Sequence, residues 1–96
     1  MIKREKTKDG KIKLTFVQQY SEQSPVFVLG DFNSWDPSAT KLLKRTNGTA
    51  SATVTVDPNQ KIRFRYRNAD GVWFNDESAD TYEKGEAGDP NSIIHV

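Results

Sequence analysis

The sequence predicts an all-β fold, a two-sheet sandwich of about seven short antiparallel strands. Helical periodicity is absent throughout. Apolar and polar residues alternate in short runs instead, and turn-forming residues separate those runs. The chain has 96 residues, enough for one domain with one core. Folding at this size buries about 60–65% of the surface the unfolded chain exposes, which leaves no room for a deep catalytic cleft with its own lid. Apolar residues make up 34% and charged residues 28%, a polar balance that suits strands turning alternate residues to water.

The elements follow in order. Residues 1–10 are read as a basic lead-in. Residues 11–16 place Ile12, Leu14 and Phe16 on one face. Residues 25–29 are more uniformly apolar and predict a central strand covered on both sides. Leu42 and Leu43 add a short edge. Residues 49–56 put Ala50, Ala52, Val54 and Val56 on one side. Residues 61–67 alternate most cleanly, with Ile62, Phe64 and Tyr66 inward and Lys61, Arg63, Arg65 and Arg67 outward. Residues 72–74 and 92–96 complete the set. Asp9-Gly10, Asn47-Gly48, Asp57-Pro58-Asn59 and Asp70-Gly71 carry turn chemistry between strands. Residues 76–90 are acidic, contain Gly85 and Gly88, and are read as a long loop over one end of the sandwich.

Composition narrows the functional classes. The chain has no cysteine, which removes disulfides, thiolate nucleophiles and cysteine-bound zinc and is compatible with a reducing cytoplasm, the expected location. No apolar run approaches the roughly 20 residues of a membrane helix, and the basic N-terminus has no apolar stretch behind it, unlike a signal peptide. The net charge is +1, too small to predict a nucleic-acid partner from the arginine stripe alone. A monomer bound to neither membrane nor nucleic acid is expected. Charge is nonetheless lopsided: residues 1–13 hold six Lys/Arg, and residues 69–96 hold seven acids. The two ends are therefore either neighbours or opposite poles.

Asp31 and Asn33 bracket a turn and are expected to bond its backbone. The order Asp31-x-Asn33-x-Trp35 lacks the later oxygen ligand and glycine of a calcium loop, so no metal site and no cofactor is expected. The acids Asp76, Glu77, Asp80, Glu83, Glu86 and Asp89 are read as a solvated loop, too loosely held for catalytic carboxylates. His95, the lone histidine, is read as an exposed strand residue. Trp73 points outward if its neighbours Val72 and Phe74 are core, and inward if they are not. Trp35 is either a ligand contact or a cap on the end of the core. Tyr82 is either a third aromatic platform or packing for its loop.

Three segments, in order, carry a resemblance. Val28-Leu29-Gly30-Asp31-Phe32-Asn33-Ser34-Trp35-Asp36-Pro37, then Phe64-Arg65-Tyr66 with Asp70-Gly71-Val72-Trp73, then Gly88-Asp89-Pro90-Asn91-Ser92-Ile93-Ile94 resemble the signatures of carbohydrate-binding module family 48. That family is similar to the isoamylase N-terminal (early set) domain and to the glycogen-binding domain of the AMP-activated protein kinase beta subunit. The resemblance covers nearly all of the chain from Lys11. It implies an immunoglobulin-like β-sandwich of the early-set type that binds α-1,4-glucan (glycogen, starch or maltooligosaccharides) and catalyses nothing. It implies that Trp35 and Trp73 stack on glucose rings and that Asn91 hydrogen-bonds sugar hydroxyls. Arg65 or Arg67 falls near a lysine with the same duty, because the hairpin carries one extra residue. A glucan-active enzyme is the implied protein partner. Ala87 stands where the kinase domains carry a leucine that enters the glucan helix.

The chemistry suits that ligand. A pyranose has an apolar C–H face, which a flat indole covers, and a polar rim. An indole losing about 100 Å² to a sugar gains about 2.5 kcal/mol at 25 cal/mol/Å². Asparagine both donates and accepts, and arginine presents several donors in one plane. The alternative reading is a protein-interaction module that has kept the sandwich and lost the sugar, favoured by the extra hairpin residue and Ala87.

Overall fold

The computed structural model describes residues 1–85 and 88–96. It is an immunoglobulin-like β-sandwich with nine strands among the described residues: β1 (Ile2–Lys6), β2 (Ile12–Gln19), β3 (Val26–Gly30), β4 (Leu43–Lys44), β5 (Thr49–Val56), β6 (Lys61–Asn68), β7 (Trp73–Phe74), β8 (Thr81–Lys84) and β9 (Pro90–His95). One sheet has the order β1-β2-β5-β4. The other runs β3-β6-β9-β8, with β7 paired to β6. Every strand pairing is antiparallel. Among the described residues, no helix is long and apolar enough to cross a membrane.

The predicted alternation fills the space between the sheets. Leu14 and Phe16 of β2 face Ile62, Phe64 and Tyr66 of β6, with Val28, Ala50, Ala52 and Ile94 around them. Phe16 is the centre of the aromatic packing, with ring centroids 5.0 Å from Phe64 and 5.4 Å from Phe32. Gly10 and Gly48 take positive φ in their hairpins, as the turn chemistry requires.

Four expectations need correction. Residues 25–29 form not a central strand but the end of the order β3-β6-β9-β8. Both faces of β3 are nonetheless covered, which explains its uniform apolarity. Val28 is in the core, while Leu29 is 1% exposed on the opposite face. The free edge is closed by residues 40–42: Val28 N–H donates to Thr40 C=O, and Leu42 N–H donates to Val26 C=O. The chain then steps across to pair β4 with β5 in the other sheet.

The basic lead-in contains a strand, β1, whose residues are mostly exposed and so show no apolar alternation. Likewise β8 lies inside the stretch read as a long loop. It is a charged edge strand of exposed pattern, the kind of edge that resists pairing with other chains. These two edges are neighbours, which settles the placement of the basic and acidic ends. Arg4 donates to Asp80 at 2.7 Å, and the Met1 nitrogen donates to Asp76 at 3.1 Å.

Asp76 is the fourth correction. Far from being solvated, it is 1% exposed. Its Oδ2 accepts from the Tyr66 hydroxyl at 2.5 Å, and its Oδ1 accepts from Ser78 N–H and hydroxyl at 2.8 and 2.7 Å. The Ser92 hydroxyl accepts from Asp76 N–H at 3.2 Å. Burial is the largest influence on this carboxyl and favours its neutral form. The bonds from Tyr66, Ser78 and the Met1 nitrogen together outweigh it and hold the pKa below the ordinary value. Burial, followed by the bond to Asp76, pushes the Tyr66 phenol far above its ordinary pKa.

Candidate functional site

The outer face of the second sheet is built by β6. Its odd residues Arg63, Arg65 and Arg67 point away from the core, and their neighbours across the ladder share that face. Arg67 is paired with Trp73, Arg65 with Leu29, and Arg63 with Ile93. Leu29 and Ile93 are 1% and 0% exposed but lie outside the core cluster. Both are covered on that face, beside the arginines they pair with. On the same face opens a groove of about 650 Å³, whose lining includes Trp35, Trp73, Arg63, Arg65, Asn91 and Asp31.

Trp73 reaches the groove because the preceding hairpin turns tightly. Gly71 N–H donates to Asn68 C=O at 3.0 Å with Gly71 at φ +81°, and Asn68 N–H donates to Val72 C=O. The Asn68 side-chain oxygen accepts from Asp70 and Val72 N–H. Trp73 then faces out at 45% exposure while Phe74 packs on Tyr66, with ring centroids 5.2 Å apart. Val72, which the outward reading of Trp73 paired with Phe74 as core, is 55% exposed. It precedes β7, so strand alternation does not extend to it. The guanidiniums of Arg65 and Arg67 each lie 5.9 Å from the Trp73 ring centroid, within cation–π range.

Trp35 arrives from the other side, on the loop after β3. Gly30 is needed there, because a Cβ would stand 2.7 Å from Arg63 O and 2.9 Å from Phe64 Cβ. A 3₁₀ turn over Asp31–Asn33 follows, and Ser34 and Trp35 both adopt left-handed φ, +57° and +58°. Such residues cost on the order of 1 kcal/mol each. Compensation comes from Trp35 N–H bonding Gly30 C=O and from the indole N–H bonding Asp31 Oδ1 at 3.1 Å. Asn33 behaves as expected for a turn residue, accepting from Gly30 N–H and donating to Val28 C=O and Thr40 Oγ1. Asp31 does not bond its own turn. It reaches across to β6 and accepts from Arg63 N–H at 3.0 Å. Trp35 is half-buried and lines the groove, so neither indole is enclosed in the core.

The polar part of the groove is centred on Arg65 and Asn91. Arg65 donates from Nε to Asn91 Oδ1 at 2.7 Å and from Nη2 to Asp89 C=O at 2.7 Å. Gly85 permits this, since a Cβ there would stand 2.7 Å from Arg65 Nη2. Arg63 is tied to Glu83 at 2.7 Å, and Lys61 pairs with the same carboxylate. Those two cations, Lys61 first, hold the Glu83 carboxyl below its ordinary pKa. Four residues of β6, about 13 Å at the usual strand rise, separate Arg63, which Asp31 binds, from Arg67, which pairs with Trp73.

The structure thus brings Trp35, Trp73, Arg65 and Asn91 to one groove, with Arg67 against Trp73 at its edge. It does not bring Tyr82 there. Tyr82 pairs with Ser92, on the face opposite to Asn91, and its hydroxyl donates to Asp76 C=O. Although 46% exposed, it fastens the segment before β8, the packing alternative of the two readings. His95 is exposed, as expected. Ala87 and Glu86 lie outside the described residues. Sequence reasoning missed Asp31 as a contact of both Trp35 and Arg63, and no local signal marks a bond spanning 32 positions.

A second hollow, about 370 Å³, is lined in part by Lys11, Asp57, Gln60 and Phe32. Its Lys11 is already paired with Asp57, and its one ring, Phe32, packs on Phe16. No protein-family model matches the chain, and no curated protein matches it.

Proposed function

We propose that this chain is a non-catalytic module that binds α-1,4-glucan, as its resemblance to carbohydrate-binding module family 48 implies. One observation carries the reading: Trp35 and Trp73, from separate elements, line one groove together with the hydrogen-bonded pair Arg65 and Asn91. Each indole offers a face to a pyranose, and the Arg65–Asn91 pair offers donors and an acceptor to its hydroxyls. Two rings at about 2.5 kcal/mol each, with hydrogen bonds recovering part of the cost of association, give a dissociation constant from tens of micromolar to millimolar. A polymer such as glycogen or starch supplies many sites, so avidity makes weak single-site binding adequate. The module's role is then to hold a glucan-active enzyme partner on its substrate.

Titrating tryptophan fluorescence with maltoheptaose or β-cyclodextrin tests this. A saturating change is expected. No change up to about 10 mM, the weak end of that range, sinks the reading. A protein ligand for the same groove is the second reading. It is favoured by the two guanidiniums already set against Trp73, which suit a peptide carboxylate as well as a hydroxyl. That reading predicts no retardation in a glucan-containing affinity gel.

A further inference from the structure

We infer that Asp31 is the positioning residue that sets the pose of Trp35 for its ligand, by tying the loop that carries this ring to the strand that carries the arginines. The inference rests on the glucan-binding reading of the groove and adds a residue to it.

The two aromatic platforms have different supports. Trp73 sits in a strand and is fixed by the β6–β7 ladder. Trp35 sits on a loop, one residue after a left-handed Ser34, and the ladder does not hold it. Its ring has one polar atom, Nε1, and that atom donates to Asp31 Oδ1 at 3.1 Å. The other carboxylate oxygen accepts from Arg63 N–H at 3.0 Å and lies 3.7 Å from Arg63 Nη1. One side chain therefore clamps the edge of the loop-borne indole to the backbone of β6. Holding the ring by its edge leaves its faces free for stacking. It also registers Trp35 against Arg65 and Trp73, both of which take their positions from β6. Both of these hydrogen bonds are exposed, so water can replace Asp31 at the Trp35 and Arg63 N–H groups when it is removed.

The test is a double-mutant cycle with a spectroscopic arm. In Asp31→Ala the Trp35 indole N–H signal in a ¹H–¹⁵N spectrum of the free protein is expected to move to the position of a water-exposed indole. Affinity for maltoheptaose is expected to fall about three- to tenfold, the scale of one lost hydrogen bond. Trp35→Phe retains a ring but has no N–H. Adding Asp31→Ala to Trp35→Phe should therefore cost little further affinity. An unmoved indole signal, or an equal loss from Asp31→Ala in both backgrounds, overturns the inference. If wild type does not bind maltoheptaose, the glucan reading fails by itself, and the indole signal still decides whether Asp31 holds Trp35. Unchanged dispersion of the remaining amide signals checks that Asp31→Ala keeps the fold.

Discussion

The outer faces of the two sheets share a β-ladder geometry and differ in what lies on it. On the β1-β2-β5-β4 face, Thr15 and Thr53 sit opposite each other with their hydroxyls 3.2 Å apart, and Glu5 pairs across from Lys13. On the β3-β6-β9-β8 face, two aliphatic side chains are fully covered, one indole is exposed and the other half-buried, and the arginines are held in place by Asn91, Glu83 and Asp31. Both faces alternate regularly, so alternation alone does not distinguish a solvated face from a recognition face. The difference lies in what the side chains do: here the arginines are tied by Asn91, Glu83 and Asp31 and line a groove with both indoles.

The comparison can be broken most directly at Trp73. Trp73→Ala is expected to remove about 2.5 kcal/mol of glucan affinity, roughly seventyfold, measured by calorimetric titration with maltoheptaose. The fold should stay within about 0.5 kcal/mol, because the ring is exposed. An unchanged affinity would erase the distinction between the faces.

Next in size is a change between the faces. Asp76→Ala leaves the buried Tyr66 hydroxyl without its carboxylate and is expected to cost about 2 kcal/mol in urea unfolding. The same node sets the pH limits of stability. The Asp76 carboxyl is depressed when folded, so its contribution is present above the unfolded value of about 3.8 and is lost as pH falls through the lower folded one. The Tyr66 phenol is raised, so its contribution is complete below about pH 10 and declines as pH rises beyond that. Melting temperature should accordingly drop at both extremes, and Tyr66→Phe should flatten the alkaline side.

A smaller effect sharpens the polar centre. Gly85→Ala pushes a methyl group against Arg65 Nη2 and Asp89 C=O. It should weaken binding by about tenfold or less through loss of the Arg65–Asn91 arrangement. The smallest effect belongs to the opposite face. Thr15→Ala with Thr53→Ala should leave maltoheptaose affinity unchanged and shift stability by less than about 1 kcal/mol.

Local pattern was legible in the sequence wherever a buried residue follows an exposed one at a period of two. The runs through Phe16 and Phe64, and the turns at Gly10, Gly48 and Gly71, all stand where alternation and positive-φ chemistry put them, whereas in β5 Ser51 is buried along with Ala50 and Ala52. β1 and β8 escaped because edge strands bury little and so carry no periodic signal. Asp76 escaped because an acid's burial is decided by partners such as Tyr66 and Ser92, 10 and 16 positions away.

By itself, then, the sequence determined the fold class, which depends on residue type and near neighbours. Only the tertiary structure decided that Trp35 and Trp73 line one groove and that Asp31 joins the loop of Trp35 to β6. Both join segments far apart in the chain, and alternation records the face a residue occupies without recording what stands opposite it.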